Sequence, residues 1–407
     1  MTTAILDREL SWQRLEFARR LAQSLLDTDW PYEDAHDALS KLTNSLGALV
    51  EQINELDDDA SESLVRQYGL EARSKVSELT GFIGFIVRSS DVRNSFESYA
   101  PIREVGAKLL GEDLRLIMGS EWTYNPFTYP IPATELAEFV LVGLPASEAQ
   151  NALLLPVAGH ELGHALWLRR RGTLQVSAKI FNLTIEKFKS RWDDVKDFFP
   201  PGITKDDIEG DLQAREVWSK TNNYALRQCE EVFCDFVGYW IYGESYIHAF
   251  SYILSPDSGM RYSSFYPSNR DRAQYLAKTA VSWGGEAATK LSERFQPPDA
   301  SDLYTTLAVE ITTELVKDIS GMVEKICKDQ AVPRPEEEGI SRARQSLLRI
   351  SPADMRSTAA EVLCAAWDIR RDLSAWKVNG IEDARKIGIL NDLVLKSFEV
   401  REWQALR

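Results

Sequence analysis

The stretch His160-Glu161-Leu162-Gly163-His164 decides how this chain is read. Two histidines at i and i+4 project from one face of a helix, so both imidazoles can reach a single ion at about 2.0–2.1 Å. The glutamate between them faces the ion's solvent position, where it can take a proton. Only four histidines occur in 407 residues, so chance seldom produces this pattern. Around the motif, Ser147 with Gln150 reads as a capping box opening a helix that Pro156 kinks or restarts. Arg169, Arg170 and Arg171 before Gly172 supply the cationic last turn and the left-handed cap expected where that helix stops.

Two imidazoles need a third donor. Trp167 and Arg170 stand where a Gly and a third His would follow the motif in the extended pattern, and only His36 and His248 remain as imidazoles. Carboxylates are the better candidates, in the segment Glu230-Glu231-Val232-Phe233-Cys234-Asp235-Phe236-Val237-Gly238. Glu231 and Asp235 share a helix face, so Glu231 can bind the metal while Asp235 accepts the second N–H of a ligand histidine and fixes its tautomer. Glu230 is the rival, on an apolar face with Leu226, Phe233, Val237 and Ile241. For Glu231 the structural alternative is an ion pair with Arg227 at i−4. Gly163 and Gly238 each cost about 1 kcal/mol against Ala within a helix, a cost that makes sense where two helices approach closely.

These residues resemble the gluzincins, in which the histidine motif is completed by a downstream glutamate and an aspartate four residues later. A second likeness is to the prenyl-protein and heat-shock endopeptidase branch, whose glutamate helix is followed by His-Pro-Pro, three variable residues and Arg. Here Tyr266-Pro267-Ser268-Asn269-Arg270-Asp271-Arg272 has that register, with Tyr266 in place of His and Ser268 in place of the second Pro. The resemblance covers roughly residues 150 to 277. It implies a zinc (Zn2+) peptidase with a zincin-like core, Tyr266 as oxyanion donor and Arg272 as a helix brace. A phenol donates a hydrogen bond but cannot carry an imidazolium's charge, and His248 is the other candidate donor. Tyr246, Tyr252, Arg261, Tyr262 and Tyr266 either line a peptide groove or pack a domain edge.

Outward from the site, Leu39, Leu42, Leu46, Leu49, Ile53 and Leu56 alternate steps of three and four, which predicts packing inside a helical bundle. After Gly111, short aromatic and β-branched stretches divided by Gly and Pro predict a few strands, with Phe139 to Leu144 as an edge able to pair with an extended substrate. A charged, mostly helical insertion at about 180–220 breaks at Pro200-Pro201-Gly202, and a helix follows from about Tyr224 to Tyr242. The expected fold class is α+β, predominantly α: an N-terminal helical region at 1–110, a catalytic region with a small sheet at 111–283, and a C-terminal helical region at 284–407. Leu363, Trp367, Leu373 and Trp376 read as core faces of the last region.

Composition narrows the partners. With 47 basic against 62 acidic residues and a net charge of −15, the chain repels polyanions, which excludes nucleic acid. No apolar run approaches the roughly 20 residues that span a bilayer, and no secretory signal opens the chain. Four cysteines, Cys229, Cys234, Cys327 and Cys364, form no CxxC pair and read as core residues of a soluble, cytoplasmic protein. The expected function is a zinc metallopeptidase, an endopeptidase, hydrolysing peptide or protein substrates by metal-activated water with Glu161 as general base. The alternative is a non-catalytic or regulatory module that keeps a zinc site and binds a protein partner through its flanking helices.

Overall fold

The computed structural model describes residues 3–57, 60–91, 94–122, 126–129, 134–170, 175–255, 264–285, 290–297, 302–378 and 380–405, with side chains from Leu6 onward. The chain is predominantly α, with one small mixed sheet. It divides into two compact units, residues 1–99 with 112–150 and residues 100–111 with 151–407. This division does not follow the three sequence regions: the strands cluster with the N-terminal helices, and the C-terminal helices cluster with the histidine helix.

In the first unit, helices α1 (Thr3–Leu26), α2 (Glu33–Asn54) and α3 (Glu62–Ser89) pack pairwise. The expected stripe of α2 builds their core, where Leu39, Leu42, Leu46 and Ile53 are buried and Leu49 and Leu56 pack against them. Strand β1 (Arg115–Glu121) runs parallel to β3 (Phe139–Pro145), and β2 (Phe127–Tyr129) runs antiparallel to it. Strand β3 is therefore central, bonded to β1 along its length and to β2 at Leu141, Val142 and Gly143. The expectation of a substrate-binding edge at Phe139 to Leu144 is corrected by this pairing, which uses the backbone groups a substrate would need. Its nearly unbroken apolar run, Phe139-Val140-Leu141-Val142, suits a strand covered on both faces.

The second unit contains most of α4 (Tyr99–Leu110), then α5 (Ala158–Arg170), α6 (Val176–Ser190), α7 (Trp192–Val195), α8 (Leu212–Tyr242), α9 (Glu244–Leu254), α10 (Asn269–Ser282), α11 (Leu303–Asp329), α12 (Glu337–Leu348), α13 (Ala359–Arg371) and α14 (Asp383–Ala405). Among the described residues no helix is long and apolar enough to cross a membrane. Helix α8 is longer than its periodicity suggested. It begins at Leu212, where the Asp211 carboxylate accepts hydrogen bonds from the backbone N–H groups of Gln213 and Ala214, at 2.8 and 2.9 Å. It ends at Gly243, whose φ of +53° carries the chain into α9.

The start of the histidine helix also departs from expectation. Ser147 lies inside a short 3-10 turn, Ala146–Glu148, and caps nothing. A second 3-10 turn, Ala152–Val157, contains Pro156, and α5 proper begins just after it. Proline has no N–H to donate and favours the first positions of a new helix, so it restarts the helix and does not merely kink it. The expected Gly172 cap lies outside the described residues. The insertion folds on a small core of its own, in which Ile185, Phe188, Val195, Phe199 and Ile208 pack with Trp218 of α8 and Leu307 of α11. The Pro200-Pro201-Gly202 break falls in its helix-free stretch, with Gly202 at φ +97°. All four cysteines are buried and unpaired by disulfides.

Candidate metal centre

Helices α5 and α8 meet with almost no side-chain layer between them. A Cβ on Gly163 would stand 2.7 Å from the Cys234 Cα, and one on Gly159 would stand 2.9 Å from the Gly238 Cα. Small residues at i and i+4 of α5 thus let the two backbones touch, and Trp167 packs at a tilt against Phe233 one turn further along. Gly238 leaves room for the Tyr246 ring of α9, 2.5 Å from where its own Cβ would lie.

This contact brings His160, His164 and Glu231 together. His160 Nε2 lies 3.4 Å from one Glu231 carboxylate oxygen and His164 Nε2 lies 3.6 Å from the other. Both distances are long for an N–H···O hydrogen bond. Two ligand atoms on a tetrahedral ion with bonds of about 2.0–2.1 Å are about 3.4 Å apart, so each imidazole–Glu231 separation, taken singly, is that of two ligands on one ion. The two Nδ1 atoms are already engaged. His160 Nδ1 is 3.0 Å from an Asp235 oxygen and His164 Nδ1 is 3.1 Å from a Glu230 oxygen. Protonated at Nδ1, each ring turns its Nε2 lone pair toward Glu231.

The orienting carboxylates are themselves held. Arg272 of α10 donates to both Asp235 oxygens, at 2.8 and 2.7 Å, and the Tyr246 hydroxyl donates to one of them at 2.7 Å. Burial alone would raise the Asp235 pKa, but the charge and hydrogen bonds of Arg272, with those of His160, hold it well below the carboxylate range. Glu230 accepts from Arg227 at 3.3 Å. That pair replaces the Arg227–Glu231 pair weighed as the structural alternative, and Glu231 faces the two histidines and Arg272, whose Nη2 lies 3.6 Å from the oxygen that faces His160. Sequence spacing presented Glu230 only as a rival ligand; its part here is to orient His164. Its signal was its place beside Glu231, where a helix turns the two side chains about 100° apart toward different atoms.

The electrostatics favour positive charge. Burial opposes a proton on His160, but the hydrogen bonds and charges of Asp235 and Glu231 prevail and push its pKa up to about 10. A proton and a metal cation compete for this place, since a ligand histidine must give up its Nε2 proton. Glu161 is buried and its carboxyl is raised, chiefly by burial, while the nearby histidines pull it down. Cys234 is a further donor in reach: its Sγ and one nitrogen of each imidazole lie within 4.8 Å of one another. Glu231 faces the Nε2 of both rings, while burial and the surrounding carboxylates push the Cys234 thiol up in the metal-free site, a shift that a bound cation would reverse.

The other candidates separate. Tyr266 is half-exposed, and burial with the charges of Glu231 and Glu161 raises its phenol, so it lies within electrostatic reach of the centre. His248 does not join it. Its ring packs at a tilt against Trp367 of α13, centroids 5.2 Å apart, on another face of α9 from Tyr246. Tyr246 is buried against Asp235 and lines no groove, Tyr252 is 41% exposed, and Arg261 and Tyr262 lie outside the described residues. Sequence spacing had no means of finding the Tyr246 contact, which depends on the turn at Gly243. No protein family, characterised protein or solved structure matches the chain.

Proposed function

We propose that this chain is a zinc-dependent peptidase in which His160, His164 and Glu231 hold the metal. The observation that carries this reading is that both free imidazole nitrogens face the two oxygens of one buried carboxylate, at 3.4 and 3.6 Å. The peptide as substrate rests on the resemblance to the gluzincins. When bound, zinc polarises a carbonyl and lowers the pKa of a water molecule toward about 7. Glu161 takes the proton from the attacking water and passes it to the leaving nitrogen as the C–N bond breaks, giving a carboxylic acid and an amine. Asp235 and Glu230 keep the two rings turned toward Glu231, and Arg272 keeps Asp235 charged. Tyr266 donates from its exposed edge to the oxyanion.

A second reading has its own observation. With Cys234 as fourth ligand the site is closed, and a closed site is structural. One set of measurements separates the two. Zinc content is measured for the wild type, Glu161→Gln and Cys234→Ala, and each is assayed on a broad peptide digest. The peptidase reading expects one zinc per chain in all three and cleavage in all but Glu161→Gln. Cleavage that survives Glu161→Gln, or zinc that is lost with Cys234→Ala, overturns it.

A further inference from the structure

Helix α1 turns Leu15 and Ala22 into its bundle but leaves Leu6, Leu10, Phe17 and Leu21 exposed, at 45, 37, 69 and 50%. At about 100° per residue these four fall in one row. Gln13 and Arg14 stand at the midpoint of its length, one on each side of the row and each about 50° from its centre line, with Glu9 and Arg20 further round on the Gln13 side. The helix differs in charge from the rest of the protein. The chain carries a net −15, whereas α1 has four arginines against three acids, so two copies can approach along α1 while their other surfaces repel.

We infer that this row docks a second copy of the chain, α1 packing antiparallel on α1 about a two-fold axis. In that arrangement Leu6 faces Leu21 and Leu10 faces Phe17, each contact made twice, as an isologous interface requires. The two Gln13 amides meet at the axis and can bond to each other, a polar layer that fixes the register. Glu9 and Arg20 share a shoulder, so each Glu9, which accepts from Gln13 of its own helix, opposes the Arg20 of the second copy, whose Nε is bonded to Glu16 and whose Nη groups reach across. Helical side chains lean toward their own N-terminus, which in antiparallel helices tilts these two groups toward one another. A parallel pair would instead set Glu9 on Glu9 and Arg20 on Arg20. Arg14 meets its own copy on the far shoulder, a like-charge contact that keeps the association weak. A lipid surface fits less well, since it would bury the Glu9 carboxylate with only the neutral Gln13 amide as its partner, leaving the charge uncompensated.

The test is sedimentation of the full chain at about 100 µM, a range that populates a micromolar dimer. The wild type is expected to have the mass of two chains. Phe17→Asp, at a position outside the core, is expected to give one chain with an unchanged thermal melt. Glu9→Arg and Arg20→Glu are each expected to weaken the dimer about tenfold, and the double reversal to restore it. A wild-type monomer, a dimer indifferent to Phe17→Asp, or a double reversal no better than the singles overturns the inference. So does a monomer that pellets with phosphatidylserine vesicles through the same row.

Discussion

Gly163 of the histidine helix lies against the backbone of Cys234, so closely that a Cβ at Gly163 would stand 2.7 Å from the Cys234 Cα. The separation of the candidate metal-binding side chains is set by this contact. Gly163→Ala gains about 1 kcal/mol of helix propensity but forces the helices apart, at an overpacking cost of about 1–3 kcal/mol. The expected result is a net loss of stability in urea denaturation with weakened zinc binding. Gly321, inside α11 with nothing within 4 Å of its would-be Cβ, is the control: Gly321→Ala is expected to stabilise by about 0.5–1 kcal/mol.

Arg272 and Asp235 form a buried pair with two hydrogen bonds, at 2.8 and 2.7 Å. Arg272→Gln strands a buried carboxylate, which costs about 3–5 kcal/mol. Arg272→Lys keeps the charge but loses the fork and is expected to fall between it and the wild type. Urea midpoints order the three, and equal midpoints for Gln and wild type would contradict the role given to Arg272.

Glu231 and Glu230 are adjacent but face different nitrogens of His164, Nε2 at 3.6 Å and Nδ1 at 3.1 Å. Glu231→Ala is expected to abolish stoichiometric zinc binding. Glu230→Ala is expected to lower zinc affinity about 10- to 100-fold and leave the stoichiometry at one. Calorimetric titration with zinc reads both, and loss of the metal only in Glu230→Ala would exchange their roles.

Tyr266 and His248 were both candidate oxyanion donors, and only Tyr266 lies within electrostatic reach of the centre. Tyr266→Phe is expected to lower kcat about 10²- to 10³-fold with little change in KM. His248→Phe keeps a ring against Trp367 and is expected to leave kcat unchanged.

His248 also gives the fold a pH dependence. Burial, with Arg371 and Arg294 adding their charge, lowers its pKa from 6.5 to about 4. The unfolded chain therefore takes up this proton at higher pH than the folded one. Stability is lost as pH falls from 6.5 toward 4, levels off below 4, and carries no such term above 6.5. Urea midpoints at pH 7 and pH 5 are expected to differ less for His248→Phe than for the wild type.

The chain's own order fixed whatever is periodic or local. The two histidines of α5 share a face because four residues make about one helical turn, and the leucines of α2 face a core because their spacing matches the same turn. A predominantly α chain with a small sheet followed from such patterns, and the candidate ligands His160, His164 and Glu231 followed from donor chemistry. Folding in three dimensions decided which atoms meet. Asp235 takes His160, Glu230 takes His164, Tyr246 and Arg272 converge on Asp235, and His248 turns away to Trp367. Each of these contacts joins different helices, through the close approach of glycine backbones and the turn at Gly243. Spacing along a helix fixes a side chain's direction, but not which helix stands opposite it.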